Sequence, residues 1–302
     1  MTSCRKKWLA AFVVLVVLLI AAALLAFFAT RRVTGDYFDS DGVRIHYTVE
    51  GAGDPVILVH GFAANADLNW RLPGVTKALA KEFRVIALDN RGHGLSDKPH
   101  DPQQYGAEMV EDIVRLMDHL GIEKAHVVGY SMGGFITLRL AIAHPERLLS
   151  AAPCAAGWRE PTVENVMMLR EIVESLEGGR GFKALLSNIE RIGGRPNRFR
   201  LAIMDRIMRL MSDEKALAAV MRGFVDFAVT RAQLEANTVP VLSIVGEKDP
   251  LRDGVDAMIG VMANHEAVYI GGGDHFTTIR NPLFVDSLRS FLRKHHTGTQ
   301  RT

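Results

Sequence analysis

The sequence is poor in cysteine and has no N-glycosylation signal. Its 302 residues include two cysteines, Cys4 and Cys154, and no Asn-x-Ser/Thr triplet. Two cysteines cannot build the disulfide framework of a small secreted domain. Cys154 stands in an apolar run, where a buried thiol that packs as a small hydrophobic group is expected.

The chain also lacks an excess of charge of either sign. It has 36 Lys and Arg against 34 Asp and Glu, a formal net charge of +2. This balance does not favour a nucleic-acid partner, which is usually bound through a strongly basic surface. With 48% hydrophobic and 23% charged residues, the composition is typical of one large globular domain or two small ones.

One long apolar run is present near the N-terminus. Residues 8–29 contain no charge, proline or glycine. As a helix rising about 1.5 Å per residue, this run would reach roughly 33 Å, enough for a bilayer core of about 30 Å. It is longer than the apolar region of a signal peptide, about 7–15 residues, and Arg31-Arg32 follow at once. We therefore predict a retained anchor and not a cleaved peptide.

Basic residues flank this run on both sides. Three of them occupy positions 5–7, and two follow the run. The positive-inside bias then places the N-terminus in the cytoplasm. We predict a single-pass membrane protein with a cytoplasmic tip and transmembrane anchor in residues 1–30. The rest of the chain would be extracytoplasmic, in the periplasm if the source is bacterial.

Beyond residue 30, apolar β-rich runs alternate with helix-like stretches. Asp41-Gly42, between two β-rich segments, is typical of a hairpin turn. Continuous apolar runs suit strands buried on both faces of a parallel sheet. The alternation predicts an open α/β sheet with helices on both faces. Strands are predicted at 43–49, 55–59, 84–88, 125–128, 241–245 and 267–270, and helices at 68–81, 107–120, 132–143, 254–263 and 282–294.

The alternation stops between residues 157 and 236. No buried strand is predicted there, and several stretches have the period of amphipathic helices. One such helix places Leu201, Met204, Met208 and Met211 on a single face. We interpret residues 157–236 as a helical cap insertion in an α/β core made of residues 31–156 and 237–302.

A serine stands between two glycines directly after a predicted strand, in Gly129-Tyr130-Ser131-Met132-Gly133. A Gly-x-Ser-x-Gly segment that ends a strand and opens a helix is typical of a nucleophile elbow. The glycines remove side chains that would collide in so tight a turn, which leaves the hydroxyl exposed above the sheet. The pattern alone is weak, because a structural turn can have the same residues.

A serine hydroxyl is a poor nucleophile without a base, and the base needs a group that orients its ring. Asp249 follows the predicted strand 241–245, and His275 follows the predicted strand 267–270. The carboxyl ends of the strands form the ligand crevice of an open α/β sheet. Ser131, Asp249 and His275 are therefore expected to meet there.

Other titratable residues at strand ends are candidates for the same roles. His60 and His93 lie in glycine-rich loops, where a structural hydrogen bond is the expected role of a histidine. Asp89 ends a predicted strand, where it is expected to cap a turn. None of the three is preferred as base or acid.

Two further carboxylates leave alternatives open. Asp274 precedes His275 and could raise the proton affinity of its imidazole. Glu247 is a second possible acid near Asp249, although it lies closer to the strand.

Together these motifs make the chain resemble the α/β-hydrolase fold family, in its capped branch of esterase-like and lipase-like serine hydrolases. The resemblance covers roughly residues 36–296. Besides the elbow, it depends on residues 60–62 (His-Gly-Phe) and residues 89–97 (Asp-Asn-Arg-Gly-His-Gly-Leu-Ser-Asp), each after a predicted strand.

The resemblance implies a role for each matching residue. Ser131 matches the nucleophile, His275 the general base and Asp249 the carboxylate that orients the imidazole. The backbone N–H groups of Phe62 and Met132 match the two donors of the oxyanion hole. It implies no metal and no organic cofactor.

The expected reaction is hydrolysis of a carboxylic ester with an apolar acyl group, through an acyl-enzyme. The substrate would be a small molecule or a lipid-like ester. An aminopeptidase-like amidase or a carbon–carbon bond hydrolase would use the same three residues, so both stay open. A non-catalytic binding protein on this scaffold is disfavoured, because such proteins often lose a member of the triad.

Overall fold

The computed structural model describes residues 8, 12, 35–160, 162–193 and 198–296. Among these, eight strands form one sheet in the order β1-β2-β4-β3-β5-β6-β7-β8. Strand β2 runs antiparallel to both neighbours, and the pairs from β4 to β8 are parallel. The strands are β1 Asp36–Ser40, β2 Val43–Glu50, β3 Pro55–Val59, β4 Arg84–Leu88, β5 Ala125–Tyr130, β6 Leu148–Cys154, β7 Val241–Gly246 and β8 His265–Ile270.

Helices connect the strands and cover both faces of the sheet. In the described residues they are α1 Val75–Leu79, α2 Ala107–His119, α3 Met132–Ala143, α4 Val163–Glu177, α5 Lys183–Gly193, α6 Arg198–Met211, α7 Glu214–Gly223, α8 Arg231–Glu235, α9 Arg252–Asp256 and α10 Pro282–Lys294. Helices α2 and α3 contribute to one apolar cluster, α1 and α10 to a second. The predicted α/β architecture is thus confirmed.

The central strands are apolar throughout because each of their faces is covered. In β3, Ile57 and Val59 belong to the first cluster, whereas Val56 and Leu58 belong to the second. All four side chains are fully buried. Complete burial of one such side chain stabilises the fold by about 1.5–3 kcal/mol. Successive side chains point to opposite faces, so a strand covered on both faces gains this stabilisation at every residue and not only at every second one.

Helices α4 to α8 form an insertion between β6 and β7. Leu201, Met204 and Met208 of α6 pack against the first apolar cluster, as their spacing predicts. Met211 does not follow them, since its side chain is 48% exposed. It is the last residue of α6, where the helix leaves the surface that it packs on.

Trp158 joins the two ends of this insertion to each other and to the core. Its backbone N–H donates to the carbonyl of Gly254 (2.9 Å), and its indole N–H donates to the carbonyl of Val229 (2.8 Å). A Cβ on Gly157 would overlap the backbone of Gly254. The chain therefore enters the insertion in direct backbone contact with the segment that follows β7.

Three sequence-based assignments need correction. Strand β6 was not predicted, because Leu148–Cys154 contains alanines and a proline in place of β-branched residues. The helix predicted at 68–81 is a π-helical turn, Asp67–Arg71, followed by α1, since Pro73-Gly74 interrupts it and Gly74 has φ 86°. The helix predicted at 254–263 ends at Asp256, and Gly260 is left-handed with φ 77°.

The predicted membrane localisation is contradicted. Apart from Trp8 and Phe12, the apolar run 8–29 lies outside the described residues. Within the described part, no helix is both long and apolar enough to cross a bilayer. The longest of these helices, α4, has 15 residues and measures about 22 Å, whereas a span needs about 20 apolar residues. The predictions of a single-pass, extracytoplasmic protein and of a membrane partner are withdrawn.

A buried ion pair ties the loop after β4 to α2. Arg91 donates through Nε and Nη2 to the two carboxylate oxygens of Asp112, both at 2.7 Å, and both side chains are almost fully buried. Arg91 also donates to the carbonyl of Gln104, and Ser40 donates its hydroxyl to Asp112. The arginine of the segment 89–97 thus has a structural role.

Removing one partner of this pair should destabilise the fold strongly. Asp112→Ala leaves the Arg91 guanidinium buried without its carboxylate, which costs about 3–5 kcal/mol. The matched control is Glu235→Ala, which removes the exposed partner of Arg231 and should change stability by less than about 1 kcal/mol. Urea unfolding of both variants measures the difference; equal effects would contradict this account.

Candidate active site

The turn after β5 has room for a serine only because glycines surround it. A Cβ on Gly129 would overlap the carbonyl oxygen of Gly133, and a Cβ on Gly133 would overlap that of Val59. Ser131 itself has φ 55° and ψ −117°, a region that non-glycine residues rarely adopt. The backbone is therefore strained at the residue that matches the nucleophile, as expected of an elbow.

The structure brings Ser131, His275 and Asp249 into one hydrogen-bonded chain. The Oγ of Ser131 lies 2.9 Å from Nε2 of His275. Nδ1 of His275 lies 2.9 Å from Oδ2 and 3.1 Å from Oδ1 of Asp249. An ionised carboxylate can only accept, so Nδ1 carries the proton and Nε2 is left to accept one from the serine. The aspartate side chain is fully buried, which excludes water from this contact.

Tyr130 holds the loop that carries His275. Its hydroxyl donates to the carbonyl of His275 (2.9 Å), and the two rings lie 5.7 Å apart. Burial raises the pKa of Tyr130 well above its usual value, so it remains a donor. The sequence did not predict this role, because only the topology brings residue 130 to residue 275.

The two alternative carboxylates point elsewhere. Asp274 accepts through Oδ1 from the backbone N–H groups of Phe276 and Thr277 and from the Thr277 hydroxyl. Glu247 accepts from the backbone N–H of Gly272 (3.0 Å). Asp274 therefore closes a local turn, and Glu247 joins the loop after β7 to the loop after β8, whereas both oxygens of Asp249 face the imidazole.

The loop after β3 lies directly beside the elbow, because β3 and β5 are neighbours in the sheet. A Cβ on Gly61 would be 3.3 Å from Cβ of Ser131. The Gly61 N–H donates to the side-chain oxygen of Asn69 (3.1 Å), which fixes this peptide. Phe62 follows immediately in the same loop. Asn69 is a further residue whose role sequence reasoning missed.

Met132 is the first residue of α3. The first N–H groups of a helix have no acceptor within the helix and carry the positive end of its dipole. Its side chain is buried, so the N–H is the group that it can present toward Ser131. Phe62 and Met132 remain the predicted donors of an oxyanion hole, which needs two such N–H groups near the reacting hydroxyl.

Comparisons with known proteins agree with this architecture. The family model of the alpha/beta hydrolase fold matches residues 54–199. An esterase from Thermogutta terrifontis, solved with malate bound, superposes with a TM-score of 0.70 at 26% identity, covering 88% of this chain and 100% of the esterase.

This chain has the α/β-hydrolase fold.

Two curated relatives of this α/β-hydrolase extend the comparison. The 2-hydroxymuconate semialdehyde hydrolase of Pseudomonas sp. strain CF600 is 45% identical over 109 residues, 35% of this chain and 38% of the relative. The dihydrolipoyllysine-residue acetyltransferase component of the acetoin cleaving system of Pseudomonas putida is 30% identical over 249 residues. This alignment covers 80% of this chain and 64% of the relative. The alignments span less than two thirds of each relative's own length.

In this α/β-hydrolase, His60 is a structural residue and not a base. Its Nε2 accepts from the backbone N–H of Asn90 (2.9 Å), so the proton lies on Nδ1 and is donated to the carbonyl of Gly61 (2.8 Å). Burial lowers its pKa below the ordinary 6.5. Both ring nitrogens are thereby committed to holding the loops after β3 and β4 together.

His93 and Asp89 also belong to this loop scaffold. His93 donates from Nδ1 to the carbonyl of Arg91, and burial together with nearby His60 lowers its pKa to about 3. Burial alone would raise the pKa of Asp89. Hydrogen bonds from His46, Ala66 and Leu95 outweigh this effect and lower the pKa to about 2. The loop scaffold therefore contains a neutral imidazole at His93 and an anionic carboxylate at Asp89.

The buried neutral state of His93 predicts a pH dependence of stability. Its folded pKa is below its unfolded pKa of about 6.5, so its contribution is complete above pH 6.5 and is lost as the pH falls towards 3. As the pH is lowered from 6 to 4, the free energy of unfolding of His93→Gln should fall less steeply than that of wild type. The difference between the two slopes should be about 1.4 kcal/mol per pH unit. Urea unfolding at several pH values tests this; parallel curves for variant and wild type would refute it.

Proposed function

We propose that this α/β-hydrolase is a serine hydrolase that cleaves a carboxylic ester with an apolar acyl group. The observation that carries the proposal is the continuous hydrogen-bonded chain from the Ser131 hydroxyl through His275 to Asp249. A hydroxyl next to an oriented imidazole is an activated nucleophile, and no other group is needed to start acyl transfer.

The first half of the reaction forms an acyl-enzyme. The Oγ of Ser131 attacks the ester carbonyl carbon while its proton passes to Nε2 of His275. The carbonyl oxygen becomes negative and accepts hydrogen bonds from the N–H groups of Phe62 and Met132. When the bond to the alkoxy group breaks, His275 returns the proton to the leaving oxygen. The buried carboxylate of Asp249 stabilises the transient imidazolium.

The second half releases the acyl group by the same route. Water gives a proton to His275 and attacks the acyl carbon, and the negative oxygen is stabilised again by the two N–H groups. The bond to Ser131 Oγ breaks, the serine regains its proton, and the acid departs. Proton transfer of this kind typically contributes about 10²–10⁴ in rate, and each oxyanion donor about 10²–10³.

An apolar acyl group is supported by the apolar side chains with which the insertion packs against the core and the loop after β3. The Phe62 ring packs against Phe182 of the insertion, with ring centroids 6.5 Å apart. Leu201, Met204 and Met208 of α6 pack against the same apolar cluster. Methionine side chains adapt to ligands of varied shape. The solved relative from Thermogutta terrifontis is an esterase, which supports the same bond type.

Transfer of the acyl group to an acceptor other than water is a second candidate. The observation in its favour is the alignment over 80% of this chain with an acetyltransferase component that acts on a dihydrolipoyllysine residue. Adding dihydrolipoamide to the ester assay and measuring acyl thioester distinguishes the two reactions. Free acid alone indicates a hydrolase, and thioester formed faster than acid indicates a transferase.

Replacing the nucleophile should abolish the activity. We expect wild type to react with a fluorophosphonate probe and Ser131→Ala not to, with ester hydrolysis reduced by about 10⁴-fold or more. The matched control is Ser290→Ala on the exposed side of α10, which should be labelled like wild type. Folded wild type that is neither labelled nor active would favour a non-catalytic binding protein.

The same assay separates the open bond types. It compares p-nitrophenyl esters of increasing acyl length with amino-acid anilides and with 2-hydroxymuconate semialdehyde, the compound in the name of one relative. Preference for longer esters supports the proposal. Preference for anilides indicates an amidase, and turnover of the semialdehyde alone indicates a carbon–carbon bond hydrolase.

Substitutions of Asp249 and Asp274, the two aspartates closest to His275 in the site and in the sequence respectively, should differ sharply in their effect on kcat. In Asp249→Asn the side chain no longer stabilises the imidazolium, so kcat should fall by about 10⁴-fold. In Asp274→Asn the side-chain oxygen can still accept from Phe276 and Thr277, so kcat should stay within about threefold of wild type. Steady-state kinetics on one ester measures both; a larger loss in the Asp274 variant would reverse the assignment of the orienting carboxylate.

A further inference from the structure

Phe182 is a fully buried aromatic residue of the insertion that contacts the loop beside the nucleophile. Its ring lies edge-to-face on that of Phe62, with centroids 6.5 Å apart and planes at 64°. On another side, Phe62 contacts the ring of His93, at 5.9 Å. Both geometries are in the range in which aromatic pairs attract. The Phe62 ring is thus held between the insertion and the core.

The backbone of Phe182 is fixed by Asp205 of α6. Oδ1 of this buried aspartate accepts from the Phe182 N–H at 2.6 Å, a short charge-assisted bond. Gly181 precedes it with φ 69°, and a Cβ there would overlap the same carboxylate oxygen. The Ser175 hydroxyl of α4 donates to the Gly181 carbonyl (3.0 Å). Two helices of the insertion therefore determine where the Phe182 ring lies.

The Phe62 backbone is well fixed on one side and strained on the other. The peptide before it is held by the bond from the Gly61 N–H to Asn69. After it the chain turns through Ala63 with φ 53°, which is unfavourable for a residue with a Cβ. Contacts with the Phe62 side chain are a means of keeping its N–H in place beside Ser131.

We propose that Phe182 is a positioning residue for the reaction and that Asp205 positions Phe182. Packing of Phe182 against Phe62 holds the Phe62 N–H where the negative oxygen of the intermediate forms. The inference rests on the proposed function, because it takes this N–H to be an oxyanion donor. It gives the insertion a part in stabilising the transition state, in addition to forming the wall of a pocket.

The test compares Phe182→Leu, Asp205→Ala and Asp205→Asn, with Phe227→Leu as matched control. Phe227 is equally buried in the insertion, but its ring contacts Phe224. For each variant, kcat and KM on a p-nitrophenyl ester are normalised to the sites that a fluorophosphonate titrates. The Ki of an alkylboronic acid is also measured, since its serine adduct places a negative oxygen at the oxyanion position.

In Phe182→Leu we expect kcat to fall about tenfold, which is less than the loss of about 10²–10³ caused by removing an oxyanion donor outright. KM should stay within about threefold of the wild-type value. The boronate Ki should rise by the same factor as kcat falls. Asp205→Ala should act in the same direction, whereas Asp205→Asn, which keeps an accepting oxygen, should lie within about twofold of wild type. The Phe227 control should retain the wild-type kcat per titrated site.

Unchanged kcat and Ki in Phe182→Leu would overturn the inference, and so would a change in KM alone, which indicates pocket lining. An equal loss in Phe227→Leu would overturn it too, by indicating general loosening. If wild type neither hydrolyses esters nor reacts with the probe, the proposed function fails separately. Amide exchange of residues 60–66 then decides: faster exchange in Phe182→Leu than in Phe227→Leu supports positioning, and equal exchange refutes it.

Discussion

The site depends on one close approach, that of the first turn of α3 to the carbonyl end of β3. Gly133 touches the Val59 carbonyl, and Gly134 lies against Cys154 at the end of β6 and against Ala156 just beyond it. Glycine in a helix is less favourable than alanine by about 1 kcal/mol per residue, so the sequence accepts a local destabilisation here. In return, the helix begins close enough to the sheet for Ser131 to project from a strained turn between the loops that carry its partners.

The buried loops around this turn have fixed protonation states, and this makes them a rigid support. His60 is neutral with both nitrogens bonded to backbone, and Asp89 is anionic with backbone donors around it. Polar groups held in this way cannot exchange partners without leaving a buried charge or lone pair unsatisfied. Loop shape is therefore maintained by chemistry that takes no part in the proposed reaction.

The sequence allowed prediction of those parts of the site that are encoded locally. The meeting of Ser131, Asp249 and His275 was predictable because each lies within five residues of the end of a strand, and strand ends meet at one edge of a parallel sheet. The loop that carries Phe62 was predictable as a neighbour of the serine turn because it follows β3, which pairs with β5. In these cases, a short pattern and the topology of the fold class were sufficient to bring distant residues together.

What was missed depends on contacts between distant segments. Strand β6 consists of small residues whose burial comes from neighbouring strands, so its own composition did not indicate a strand. Tyr130 and Asn69 act through bonds to residues 145 and 8 positions away, and neither bond leaves a pattern. Asp205 is a single acidic residue on a helix with several arginines, and nothing in its sequence context marks a role. Its bond to Phe182 exists only because two helices of the insertion pack together.

The clamp made by Trp158 bears on how such a protein can diversify. One indole and one backbone N–H bring together residues 158 and 229, which lie 71 positions apart, and attach both to the core at Gly254. The segment between these two residues is thereby closed into a loop at its base. A replacement cassette of different length therefore needs to match this junction and to supply a ring that packs on Phe62 as Phe182 does, if the chemical machinery beneath it is to stay intact while selectivity is re-engineered.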